Sequence, residues 1–441
     1  MALSTQPYKG ARDFYPEDMR FRNFMFAKIR TVCERFGYEE YDAPILEPTD
    51  LYLSKGNQEI IDEQTYTFTD RGGRSMTIRT EMTPTVSRMV AAKRQELAYP
   101  IRWYSIPNLM RYERPQKGRL REFWQLNVDI FGVAGVEADV EIITVADQIF
   151  REFGAKHDMY TIKVNGRKFV NFILGDYLGL DGVQQTSVIR LVDRINKIER
   201  TDFVTQLDGL CSPSQREAGT VDRLLSILAA KDFAALPQEV QAHESLQPIK
   251  QTLEQLEALG ITNAVFDIAL MRGFDYYTDI VFEVFDNDPD NNRAMCGGGR
   301  YDGLVGAFGV EPVPTVGYAM GDAVLAEFLK GHKLAPVLST ETNAYVVLAG
   351  DVFGQAQKVI ADLRAMGLNL AVDLSGKKVG DQIRLADKKG IHFVIIIGEN
   401  ELADDQFTVK NLKTGVEEKH GLERIVSIVK DYRHPDNEDE L

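Results

Sequence analysis

Hydrophobic positions recur three or four residues apart through residues 17–36, at Phe21, Met25, Ile29 and Val32, with Pro16 before them and Gly37 just beyond. This spacing puts the apolar side chains on one stripe, and the Pro and Gly stand where helices start and stop, so an amphipathic helix is predicted. The period then changes. Tyr38–Pro48 is an extended stretch containing Pro44 and Pro48. Tyr66–Thr69 and Met76–Arg79 alternate on either side of Asp70-Arg71-Gly72-Gly73, the pattern of a hairpin. Ile101–Ser105 and Glu122–Phe131 bracket a charged loop as two strands, and Ala138–Gly154 reads as a helix. Later come the alternating run Tyr276–Phe285 and the glycine-rich Cys296–Gly309. Strands succeed one another through short turns, which predicts an α+β domain built on an antiparallel sheet flanked by helices. Residues 170–260 are helix-prone and polar, and are expected to form a helical insertion within it.

Beyond a linker over residues 331–342, which contains Pro336, the rhythm becomes strand–helix alternation. Asn343–Leu348, Leu368–Asp373 and Phe393–Ile397 are β-rich, and Gly354–Met366 and Val379–Lys389 between them are helical. A strand Phe407–Lys410 and a last helix Glu418–Tyr432 complete the pattern. The expected division is a first domain over 1–330, a small separate α/β domain over 343–433 and an acidic tail over 434–441.

Length supports that division, since 441 residues exceed what a single hydrophobic core serves. Lys+Arg 51 against Asp+Glu 66 leaves a formal charge of −15, which argues against broad coating of nucleic acid but allows a local basic groove. The densest apolar windows, Tyr345–Leu348 and Phe393–Ile397, are strand-sized, so no membrane span is expected. Met1–Gly10 does not read as a secretory signal. Cys33, Cys211 and Cys296 never form a C-x-x-C pair, which speaks against a disulfide framework or an all-cysteine zinc site and for the cytoplasm. No metal-binding residue is assigned. None of the six histidines falls in the Arg-, Gly- and Tyr-rich stretches described next, so acid–base chemistry by histidine is not expected.

Three segments carry the chemistry. Arg111–Phe123 holds five cations in its first eleven residues, on a Pro- and Gly-containing loop between two strands. Arginines there supply planar forks suited to phosphate oxygens, although charge runs often end as solvated hairpin tips. In Leu270–Thr278 an Arg enters an aromatic strand through Gly273, and Cys296–Gly303 has three consecutive glycines that allow close backbone approach.

Together these residues resemble the histidyl-tRNA synthetases, a class II aminoacyl-tRNA synthetase family, over nearly the whole chain. Arg111–Phe123 looks like the second class motif, and Arg272–Tyr277 and Gly298–Asp302 like the two histidine-specific signatures. Lys9–Asp13 resembles the opening segment and Phe36–Pro44 the first class motif, which builds the dimer interface. Arg79–Thr83 resembles the segment that holds the amino group, and residues 343–432 the anticodon-binding domain.

The resemblance implies ATP-dependent ligation of L-histidine to tRNA(His) through a histidyl-adenylate, by a homodimer using ATP and Mg2+. Glu81 and Thr83 would accept the ammonium group, while Asp129, Tyr276 and Tyr277 would meet the imidazole and Tyr301 would close the pocket. Asp129 stands where relatives often have Glu. Gln125 would lie beside the carboxylate, and Arg111 and Arg272 would flank the α-phosphate. Glu113, Arg119 and Phe123 would complete the ATP site, with Arg119 on the outer phosphates and Phe123 on adenine. Arg114 and Gln116 are candidates for the tRNA acceptor end, and Lys377 and Lys378 for tRNA at the N-terminal end of a basic helix.

One position departs from the family pattern. The third class motif ends in Glu-Arg, whereas Ala323 and Val324 occupy those places here. A charge-assisted contact to the γ-phosphate, of order 1.5–3 kcal/mol, is therefore missing unless Arg119, Arg121 or Arg300 supplies it. The alternative this raises is a non-catalytic synthetase-like regulator that binds tRNA or histidine. A second alternative is the regulatory subunit of an ATP phosphoribosyltransferase, which usually lacks the anticodon domain.

Overall fold

The computed structural model describes residues 3–53, 64–116, 118–195, 197–271, 276–291 and 293–432. By internal packing the chain divides into two units, Met1–Asp13 with Phe24–Ala335, and Phe14–Asn23 with Pro336–Leu441.

The first unit is organised on a large sheet. In spatial order its strands are Glu39–Glu40, Ile101–Ser105, Glu122–Phe131, Thr315–Gly321, Ala294–Arg300, Ile280–Asp286, Tyr160–Gly166 and Ala264–Phe266. Asn108–Met110 pairs beside this path with Glu122–Trp124. The expected antiparallel pairing holds through the centre, but the two edge strands pair in parallel, Glu39–Glu40 with Trp103–Tyr104 and Ala264–Phe266 with Ile162–Val164. The sheet is thus mixed. The predicted hairpin is present as Tyr66–Thr69 and Ser75–Ile78, in a separate small sheet with Leu46–Pro48.

Alternation along the strands gives the large sheet two unlike faces. Leu126, Val128 and Ile130 lie in register with Met320, Tyr318 and Val316, and these with Cys296, Gly298 and Arg300. All are buried, and this face packs on the helix Val136–Glu152, whose Ile142, Ile143, Ala146, Ile149 and Phe150 are inaccessible. The opposite face carries Gln125, Asn127 and Asp129, in register with Gly321, Ala319 and Gly317. Polar groups and residues without bulk on one side, and a sealed apolar layer on the other, make this second face the place for a ligand.

The three consecutive glycines lie in a strand, Ala294–Arg300, in the middle of the sheet. Between residues 167 and 258 the described chain is helical, and the helix Gln247–Ala258 packs on Val136–Glu152 and on the strand Tyr160–Gly166.

In the second unit, Leu370–Val372, Ala344–Ala349 and Phe393–Gly398 are parallel, and Phe407–Asn411 and Glu417–His420 extend the sheet antiparallel. Val346, Leu348, Ile395 and Ile397 face one apolar layer, while Tyr345, Val347 and Val394 face another. The last helix is shorter than expected. Glu417–His420 is a strand, and the helix runs Leu422–Lys430. The cause is local. Asn411 accepts the backbone N–H of Lys413 and Thr414, and Gly415 takes a positive φ of 75°, which turns the chain back as a hairpin before a helix can begin.

Candidate active site

Asp129 sits mid-strand on the polar face and is 3% exposed. It faces Gly317 across the ladder, where an added Cβ would fall on the Asp129 carboxylate. At the next glycine of the same row, Gly299, a Cβ would meet the Ile280 carbonyl oxygen at 2.6 Å and the Tyr277 ring at 3.1 Å. These two positions explain part of the glycine content: the backbone is bare where acid and aromatic side chains must lie over it.

The Tyr301 hydroxyl donates to Asp129 Oδ1, while Oδ2 is buried with no hydrogen-bond partner among the described residues. Burial pushes the Asp129 carboxyl up to about 7, against the pull of Tyr301. Tyr301, the residue expected to close the pocket, lies at this carboxylate, beyond the end of the strand Ala294–Arg300. Tyr276 packs on both Tyr301 and Tyr277, with ring centroids 5.7 and 5.1 Å away.

The Tyr276 hydroxyl donates to Glu81 Oε2 at 3.2 Å and lies beside Thr83, the first residue of the helix Thr83–Ala92. Glu81 is buried; burial raises its carboxyl, and Arg111 and the Tyr276 hydroxyl lower it. The structure thus links Glu81, Thr83, Tyr276, Tyr277, Tyr301 and Asp129 in one cluster.

Arg111 joins this cluster to a cleft. Its Nε–H donates to the Thr80 carbonyl oxygen at 2.9 Å, and its guanidinium lies 5.4 Å from the centroid of the Phe123 ring. The cleft, of about 200 Å³, is lined by Arg111, Glu113, Arg119, Phe123 and Gln125 from the basic segment and by Ala323 and Val324 opposite. Gln125 therefore borders both regions, on the strand that also carries Asp129. Arg272 lies outside the described residues, as does Lys117 of the basic loop. The two residues before Arg272 are held by neighbours: Asn165 donates to the Leu270 carbonyl oxygen at 3.1 Å and Arg167 to that of Met271 at 3.0 Å.

Val324 does reach the cleft, since a Cβ on Gly118 would be 3.4 Å from its methyl. Of the three cations considered as substitutes, Arg300 is excluded. It points to the helix-covered face, is 4% exposed and bonds Asp139 Oδ2 at 2.5 Å and the carbonyl oxygens of Val133 and Gly135 at 2.9 and 2.8 Å. Arg121 is also engaged: its guanidinium lies 4.0 Å from the Tyr112 ring centroid and donates to the Tyr8 hydroxyl at 2.7 Å. Arg119 alone of the three lines the cleft, with a side chain 63% exposed and only a 3.9 Å approach to Glu113.

Arg114 and Gln116 are exposed, and Gln116 and Arg119 exchange backbone hydrogen bonds at 3.0 and 2.9 Å that close the loop tip. Lys377 and Lys378 are exposed in the second unit; Lys378 is the residue before the helix Val379–Lys388, just past the carboxyl end of Leu370–Val372. Asn127 was missed by sequence reasoning. It shares the parity of Gln125 and Asp129 on the strand Glu122–Phe131, a period-2 signal present in the sequence.

Residues 10–323 match the family model for histidyl-tRNA synthetase, and residues 337–432 match that for an anticodon-binding domain. The chain belongs to the histidyl-tRNA synthetase family. A histidine–tRNA ligase of Leptospira biflexa is 40% identical over 412 residues, covering 93% of this chain and 94% of the relative. One from Thermoplasma volcanium is 36% identical, covering 94% of this chain and 96% of its own. Among solved structures, a histidyl-tRNA synthetase of Nostoc sp. PCC 7120 superposes with a TM-score of 0.81 at 22% identity, covering 98% of this chain and 100% of that one. The fold is accordingly the class II synthetase fold with a C-terminal anticodon-binding domain. Among the described residues, no helix is long and apolar enough to cross a membrane.

Proposed function

We propose that this chain activates L-histidine with ATP and transfers it to tRNA(His). The observation that carries the reading is Asp129, a buried carboxylate with one oxygen held by Tyr301 and the other without a protein donor, on the sheet face that leads through Gln125 to the Arg111 cleft. Such an oxygen suits the N–H of an imidazole. Glu81 and Thr83 take the α-ammonium, leaving the carboxylate toward Gln125 and Arg111.

The histidine carboxylate is ionised at neutral pH and needs no general base. It attacks the α-phosphorus of ATP, a P–O bond forms as the bond to pyrophosphate breaks, and the product is histidyl-adenylate. Arg111 with Arg272 neutralises charge at the α-phosphate, Phe123 holds adenine and Arg119 meets the outer phosphates. Mg2+ would offset the charge of the ATP phosphates, and Glu113, on the cleft wall, is the carboxylate that would help hold it. A terminal ribose hydroxyl of tRNA then attacks the mixed anhydride and releases AMP. Arg114 and Gln116 serve the acceptor end, and Lys377 and Lys378 a tRNA phosphate. Residues 1–330 form the catalytic domain, 331–342 the linker and 343–433 the anticodon-binding domain, in a cytoplasmic homodimer.

Histidine-dependent exchange of labelled pyrophosphate into ATP tests this. Exchange with histidine and with no other amino acid is the expected result; no exchange, with tRNA or histidine still bound, sinks the ligase reading in favour of a regulator. Two further outcomes follow. Asp129 ionises near 7, so kcat/KM for histidine falls as pH drops through about 7. The sign follows from the carboxylate being the acceptor and the protonated acid a poor one. Asp129→Asn should flatten this limb and leave the ATP profile unchanged; a limb that persists rules out Asp129 as its source. At the departure site, Arg119→Ala should raise KM for ATP by about tenfold or more, and Val324→Arg should restore it in that background while changing little in the wild type.

A further inference from the structure

Asp129 is short for its task, and the structure holds a second hydroxyl beside it. Glu39 and Glu40 pair in parallel with Trp103 and Tyr104, and the ladder continues through the Tyr41 N–H, which donates to the Tyr104 carbonyl oxygen at 2.8 Å. That register sets Tyr41 opposite Ser105, on the face shared by Trp103 and, across the next pairing, Asn127 and Asp129. The Tyr41 ring packs 5.7 Å from Trp103, against the apolar cluster of Val86, Val90 and Phe131. The Ser105 hydroxyl acts on the buried Tyr41 oxygen as a donor, which leaves the Tyr41 O–H itself to donate elsewhere, and Asp129 Oδ2 is buried with no hydrogen-bond partner among the described residues. After burial, the Asp129 charge is the largest influence raising the Tyr41 phenol, and Tyr41 in turn acts on Tyr301. Arg79 and Asp42, the other charges acting on Tyr41, pair with each other at 2.9 Å. Tyr41, with an O–H left to donate, and Asp129, with an oxygen left to accept, thus share one face of the sheet on either side of the strand Ile101–Ser105. A buried carboxylate oxygen left without a donor is costly, so Asp129 gains from a hydrogen bond to Tyr41.

We propose that Tyr41 is a positioning residue for histidine: its hydroxyl, with that of Tyr301, brackets the Asp129 carboxylate and holds Oδ2 toward the imidazole N–H. A carboxylate oxygen has two lone pairs, so Oδ2 accepts from Tyr41 and from the substrate ring together. The first-motif segment thereby contributes to amino-acid selection as well as to the dimer expected from it. The inference rests on the reading of Asp129 as the imidazole acceptor.

Tyr41→Phe tests it, because the ring stays against Trp103 and only the oxygen is lost. In pyrophosphate exchange by the full-length protein, KM for histidine should rise about tenfold while kcat and KM for ATP stay within about twofold. In an Asp129→Asn background the same change should add nothing, since Tyr41 acts through that carboxylate. A wild-type KM for histidine in Tyr41→Phe, or an equal rise in both backgrounds, overturns the inference while leaving Asp129 in place. An Asp129→Asn variant with wild-type KM for histidine removes the underlying reading, and the inference with it.

Discussion

Arg111→Ala should lower histidine-dependent pyrophosphate exchange by about 10³-fold or more. No other described cation touches both halves of the site. Arg111 acts on the Glu81 carboxylate at the amino-acid end, is anchored to the Thr80 carbonyl oxygen at 2.9 Å, and lies along the Phe123 ring at the nucleotide end. In the proposed reaction its charge would stand where negative charge shifts during attack on the α-phosphate, at the cleft it lines with Phe123 and Gln125. Preorganised charge of this kind acts on the transition state more than on the ground state, so kcat should carry most of the loss. Arg111→Lys discriminates charge from geometry. Lysine keeps the positive charge but cannot make the planar fork or lie flat on an aromatic ring, so its activity should fall between wild type and alanine. Near wild-type exchange in Arg111→Ala would show that the charge is supplied elsewhere.

The second large effect concerns stability. Arg300→Ala should cost about 3–5 kcal/mol, because it strips the counter-charge from a fully buried carboxylate. Arg300 and Asp139 are 4% and 1% exposed, and the same guanidinium also satisfies two carbonyl oxygens at the start of the helix Val136–Glu152. Burial raises Asp139 to about 6 even with Arg300 present. Without Arg300 it rises further, and the folded variant then holds a proton that the unfolded chain has already released above about pH 4. Unfolding exposes an acid that ionises more readily, so the variant's stability falls as pH rises from about 4 through 6 and beyond. The deficit against wild type should therefore be smaller at pH 5 than at pH 8. Replacing both partners with apolar residues of similar volume, as in Arg300→Met with Asp139→Leu, should recover the part due to the uncompensated charge, while the hydrogen bonds to the two carbonyl oxygens stay lost. Denaturation followed by tryptophan fluorescence reads this unit alone, since Trp103 and Trp124 are both in its strands. An Arg300→Ala protein as stable as wild type at pH 8 would contradict this account.

Arg300 also marks the limit of what spacing reveals. It sits among glycines, one residue from Tyr301, in a segment rich in chemistry, and in one dimension it looked as free to reach ATP as Arg119. Strand parity separates them. Arg300 follows Cys296 and Gly298 onto the helix-covered face, whereas Tyr301, past the strand's end, returns to the polar side. Nothing in the local pattern states where a strand ends to within one residue, and a one-residue change exchanges the faces.

Elements with strong local signals were legible. The amphipathic helix is Pro16–Arg35, the hairpin around Gly72-Gly73 is present, and the strand–helix rhythm after residue 343 is the one observed. Each depends on contacts within a few residues, which periodicity records. The parallel edge strands and the Glu417–His420 strand were not legible, because they are too short to show a period and exist only by pairing with distant or turn-linked neighbours.

The chemical inventory was fixed by the chain alone. An arginine-rich loop, two aromatic and glycine signatures and acids at 81 and 129 specify the family and the kind of ligand it takes. Tertiary structure decided which of those groups meet: it joined Glu81 to Tyr276 across 195 positions and Asp129 to Tyr301 across 172, turned Arg300 away, and set Tyr41 against Trp103. The division is physical, since residue type sets what a group can bond, while sheet register sets what it can reach.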